Sequence, residues 1–81
     1  MKSIKFVVTA NRGVQSTSKP QVNSEKMKVY AKNTILQIIQ IQNTLEQKIR
    51  GQIETSLDWV SIKDTQNQFK WMEPMLEVTK T

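Results

Sequence analysis

The sequence predicts an α+β fold, with one long amphipathic helix packed on a small antiparallel sheet in the order β-α-β-β. Three observations predict it. Met27, Ala31, Ile35, Ile38, Ile39, Ile41, Leu45, Ile49 and Ile53 recur at near-helical spacing between Ser24 and Ile53. Ser3–Thr9 (SIKFVVT) is rich in β-branched and aromatic residues that alternate like a strand. Two further apolar segments, Leu57–Ile62 and Phe69–Met72, flank Lys63–Gln68, where Asp64 and Asn67 suit a turn. Trp59, Ile62, Phe69 and Met72 also stand at nearly helical spacing, so an all-α helical hairpin is the alternative.

The first strand places Ile4, Phe6 and Val8 on one face. Asn11-Arg12-Gly13 is a turn signal, and the polar, aperiodic residues 10–23 read as a mobile basic loop. Asn23 or Ser24 caps the expected helix, with Glu25 where the dipole favours an anion. An advance of about 100° per residue sorts that helix into three strips. One is apolar, with Gln42 inside its seam. A charged flank holds Lys28, Lys32, Glu46, Arg50 and Glu54, with Glu46–Arg50 in the favourable i,i+4 order. The third strip is uncharged: Asn33, Gln37, Gln40, Thr44 and Gln47. Gly51 disfavours a helix interior and ends the element. Pro74 demands a sheet edge or a bulge in the strand reading and ends the second helix in the helical one, and Leu76 and Val78 alternate as in an extended end.

At 81 residues the chain is one small domain with one core. Cysteine and histidine are both absent, which excludes disulfides, thiolate nucleophiles and Cys/His zinc sites. Oligomerisation or docking on a partner is then the expected reinforcement. The acids Glu25, Glu46, Glu54, Asp58, Asp64, Glu73 and Glu77 have no histidine to work with, and read as solvated surface. Ser16-Thr17-Ser18-Lys19 lacks the glycines of a phosphate loop. No enzyme, cofactor or metal is expected. No apolar run approaches the ~20 residues of a membrane helix, and the N-terminal apolar stretch is too brief for a signal peptide. The expected location is the cytoplasm. The lysine-, asparagine- and glutamine-rich composition is common in small phage and mobile-element proteins.

Function is therefore expected to be binding. The leading expectation is a protein partner or self-association through the long helix, with Asn33, Gln37, Gln40, Thr44 and Gln47 as the interface. Uncharged amides desolvate at lower cost than charges. The alternative is sequence-tolerant nucleic-acid binding. Net charge is +5, and residues 1–32 hold seven basic residues against Glu25 alone. Arg12, Lys19, Lys26, Lys28 and Lys32 are the expected phosphate contacts. Trp59 and Trp71 are expected to pack in the core. Binding to a membrane surface ranks last, because the helix carries few lysines on its polar face.

Overall fold

Valine and isoleucine dominate the stretch expected to be helical, and they decide its conformation. Their branched Cβ is restricted in a helix and packs well on a pleated surface. The computed structural model describes residues 3–75, and those residues form seven antiparallel strands and no helix. The strands are β1 (Ile4–Val8), β2 (Val14–Thr17), β3 (Lys26–Tyr30), β4 (Ile35–Asn43), β5 (Lys48–Ile53), β6 (Trp59–Asp64) and β7 (Met72–Pro74). They lie in one sheet in the order β3-β2-β6-β5-β4-β1-β7. The expected helix is thus replaced by β3, β4 and β5, and both the α+β fold and the helical hairpin are corrected to all-β. The amphipathic helix and its three strips do not exist.

The helical spacing has a structural origin. Leu36 and Ile38 alternate inward as in any half-buried strand, while Ile35 and Ile41 are half-exposed. A bulge between Ile38 and Gln40 then shifts the register against β5. One extra residue in a period of two imitates steps of three and four. Three of the breaks are equally hidden. Gln47, Leu57 and Gln68 hold the left-handed position of three strand-connecting turns, with φ of 61°, 63° and 66°. Asn33 does the same between β3 and β4, at 76°. Glycine or asparagine usually marks such positions.

The first strand is as expected, with Phe6 and Val8 buried, although Ile4 is half-exposed. Residues 10–23, expected as one basic loop, contain β2. The expected turn at Asp64 and Asn67 is present, but its arms do not form a two-stranded hairpin: an isolated Lys63–Lys70 bridge joins them, and Met72–Pro74 pair with β1 instead. Pro74 does lie on the edge strand β7. Leu76 and Val78 lie outside the described residues.

After the turn, the chain rolls the sheet back on itself. The Phe69 carbonyl accepts from Asp64 N (2.8 Å), Lys70 bridges Lys63, and Trp71 N donates to the Ile62 carbonyl (2.9 Å). The backbone bends at Trp71, and Met72–Pro74 then pair with β1. Segment 69–74 therefore ties β6 to β1, although these strands are not neighbours in the sheet. Phe6, Val8, Leu36, Ile38, Ile53, Val60, Ile62 and Met72 fill the enclosed space. Trp59 is buried as expected but stands outside that cluster, while Trp71 is only half-buried at its margin.

One surface pair is well built. Lys48 and Asp64 face each other across β5 and β6, with Nζ 3.0 Å from Oδ2. Oδ1 accepts from the backbone N–H of Gln66 (2.8 Å) and Asn67 (3.3 Å). The hydrogen bond from Lys48, then that from Gln66, holds the Asp64 carboxyl below its ordinary value of 3.8. Its stabilisation is complete above that value and is lost as pH falls through the lower folded one. Asp64→Asn is expected to lower the melting temperature at neutral pH and to flatten its acid dependence. Melting curves recorded between about pH 2 and pH 7 check this.

Candidate binding groove

Two turns meet at the rolled end of the sheet. The first joins β1 to β2, closed by Gly13 N donating to the Ala10 carbonyl (2.9 Å), with Gly13 at φ +78°. The second delivers Phe69, whose N–H is held by Asn67 Oδ1 (2.9 Å) after the left-handed Gln68. The carbonyl of Trp71 accepts from both Thr9 N (2.9 Å) and Ala10 N (3.2 Å). These bonds hold the two turns side by side.

Between them lies a groove of about 430 Å³, with residues 9–13 as one wall and Phe69, Lys70 and Trp71 as the other. Phe69 is 48% exposed, so apolar surface is open to a ligand. It meets Trp71 edge to face, with centroids 4.9 Å apart and planes at 81°. The two rings form a notch rather than a flat platform. Arg12 and Lys70 are exposed in the lining, which includes no carboxylate. Lys32 joins them from the turn after β3, its Nζ donating to Asn11 Oδ1 (3.0 Å). The groove is therefore apolar at its centre and cationic at its rim.

The basic residues singled out from sequence are partly brought together. Arg12 and Lys32 stand at the groove. Lys26 and Lys28 project from β3, whose strand neighbour is β2 alone, and Lys28 Nζ lies 5.2 Å from the Tyr30 ring centroid. Lys19 sits in the loop after β2, where its N–H approaches Ser24 Oγ (3.2 Å).

The amide residues are not brought together. Asn33 precedes β4, and Thr44 and Gln47 lie beyond its far end, roughly 30 Å away along an extended strand. Gln37 Oε1 accepts from Ser3 Oγ (2.9 Å), and Gln40 faces Gln52 beside the bulge. The Thr44 hydroxyl donates to the Lys48 carbonyl (3.3 Å). The Gln47 carbonyl accepts from both the N–H and the hydroxyl of Thr65. Their continuity depended on the helix and disappears with it.

Sequence reasoning does not single out Phe69 or Lys70 as surface residues, and it assigns Trp71 to the core. The available signal was the triplet Phe69-Lys70-Trp71, aromatic residues interleaved with a cation next to a turn. Among the described residues no acidic cluster suited to a metal ion is present, and no helix is long and apolar enough to cross a membrane. Comparison with protein-family models, curated proteins and solved structures finds no match.

Proposed function

We propose that this protein is a binding module that docks an extended, acidic segment of a partner protein in the groove between residues 9–13 and Phe69–Trp71. The observation that carries the reading is the half-exposed Phe69 set edge-on against Trp71 within a cationic rim. An edge-to-face pair leaves a notch that fits one side chain or a proline ring, as aromatic-lined grooves do for extended peptides. Arg12, Lys32 and Lys70 then favour carboxylates on the same segment and speed its approach.

The test is an arrayed library of extended peptides with acidic and proline-containing members, followed by titration of the best binder. Phe69→Ala is expected to weaken that binder roughly tenfold or more, as loss of a central aromatic anchor does. Lys70→Gln is expected to reduce affinity less and to weaken its salt dependence. Equal affinity of the Phe69→Ala variant and the parent protein would sink the proposal.

The cations Lys26 and Lys28 on the edge strand β3, together with Lys32, Arg12 and Lys70 at the groove, favour a second reading, single-stranded nucleic acid. It requires bases to stack on Phe69 while lysines follow the phosphates. An oligothymidylate titrated beside the peptides separates the two. Tight, steeply salt-dependent binding of the oligonucleotide with no peptide selected supports the second.

A further inference from the structure

Arg50 is a charged residue outside the groove, and its surroundings are unusual. It is 1% exposed, among the largest fully buried side chains. Its Nη1 donates to Ser61 Oγ (2.7 Å), and its Nη2 donates to Thr17 Oγ1 and to the Trp59 carbonyl (3.1 Å). All three partners are neutral. Nε is buried with no partner, so of the five guanidinium hydrogens two remain unplaced. No carboxylate of the described residues lies within ion-pair distance. Glu46, exposed at the tip of the β4–β5 hairpin, acts on Arg50 only through space. Burial pushes the guanidinium below its ordinary value and the Glu46 charge opposes this, but an arginine remains protonated.

A buried cation without a counter-ion is costly, and its cost falls when an anion reaches it. The fold provides the opening. A cavity of about 190 Å³ has Arg50, Lys26, Thr17, Ser61, Val22 and Trp71 in its lining. Among the described residues it holds two cations and no acid. The Thr17 hydroxyl already donates to the Lys19 carbonyl (2.8 Å). Ser61 accepts from Arg50 and keeps its own proton to give. The sheet register explains the assembly: Thr17 faces Trp59 and Arg50 faces Ser61 on adjacent strands.

We propose that this cavity is an oxyanion site, in which Arg50 and Lys26 supply the positive charge and Ser61 a hydroxyl donor. Its occupant is a carboxylate or phosphate group of small size. Two sources share that chemistry: a free ion or metabolite, and an acidic side chain of a segment docked in the groove. The second source rests on the function proposed above, because Trp71 lines both the cavity and the groove.

The experiment is thermal melting of the full chain in chloride, acetate and phosphate at matched ionic strength. It is repeated for Lys26→Gln, Ser61→Ala and Arg50→Met. In parallel, the selected acidic peptide and its Glu→Gln counterpart are titrated. Expected is a concentration-dependent rise in melting temperature with acetate or phosphate over chloride, with apparent affinity about tenfold weaker in Lys26→Gln and in Ser61→Ala. Arg50→Met, if it folds, is expected to lose the response; the other two variants keep the test decisive if it does not. A rise with free anions while no peptide binds supports the site and removes the groove reading. A response confined to the acidic peptide, lost in its Glu→Gln counterpart and weakened in the Lys26 and Ser61 variants, assigns the docked source. No anion-specific response from either source, or a response unchanged in Lys26→Gln and Ser61→Ala, overturns the proposal.

Discussion

Gly13→Ala is expected to destabilise the fold by roughly 2–5 kcal/mol, the sum of left-handed strain and overpacking. Gly13 stands at φ +78°, where a Cβ is disfavoured whatever the space around it. There is also no space. A Cβ built there lies 2.3 Å from the Tyr30 carbonyl oxygen and 3.3 Å from Ala31 Cα. Both are backbone atoms, so relief requires β3 to move away from β2. A domain of this size has a total stability of only about 4–12 kcal/mol, so the change consumes a large part of it. Urea unfolding followed by tryptophan fluorescence checks this. A midpoint unchanged from the parent protein would contradict the close approach of the β1–β2 turn to the start of the β3–β4 connection.

Gly51→Ala is expected to destabilise as well, and here the sign is the informative quantity. In a helix interior, alanine in place of glycine stabilises by about 1 kcal/mol. In the sheet, Gly51 faces the core between β4 and β6, and an added Cβ falls 2.8 Å from Ile38 Cγ2 and 2.8 Å from Ile62 Cδ1. Ile38 is almost fully buried, so its methyl has little freedom to retreat. The expected loss is roughly 1–3 kcal/mol, the range for overpacking a filled core. Denaturant midpoints of the two proteins decide it, and a gain in stability would contradict the close packing of Ile38 and Ile62 over Gly51.

Where the sequence was legible, the signal was local. Strand β1 is uninterrupted, and its inward face reads directly from Phe6 and Val8. The turn after β6 is marked by Asp64 and Asn67, whose side chains do hold backbone N–H groups there. Asn11-Arg12-Gly13 marks a turn for the same reason. Residues 24–53 were misread because the three signals that separate strands from a helix are all obscured. The β4 alternation carries a bulge, the Ala31–Thr34 and Thr44–Gln47 turns lack glycine and proline, and Arg50 looks like one end of a helical ion pair with Glu46. The abundance of Ile and Val was the one remaining cue, and it favours strands.

The groove was legible only in part. Arg12 and Lys32 were recognised as cations that need a partner, but nothing local places them beside Phe69 and Lys70, nearly 40 residues or more away. That juxtaposition comes from segment 69–71 bonding to β6 on one side and to Thr9 and Ala10 on the other.

By itself, then, the sequence determined what depends on neighbours in the chain. It established the first strand, the turns at Gly13 and Asp64, the basic N-terminal third, and the absence of cysteine and histidine chemistry. The tertiary structure decided what depends on pairing across the chain: the register around the bulge, the rolled sheet, the groove at Phe69, and the burial of Arg50 among Thr17, Trp59 and Ser61. The reason is physical. Alternation and turn geometry are satisfied within a few residues, whereas strand pairing trades the bonds and burial of distant segments against loop closure, and that balance is struck only in the assembled fold.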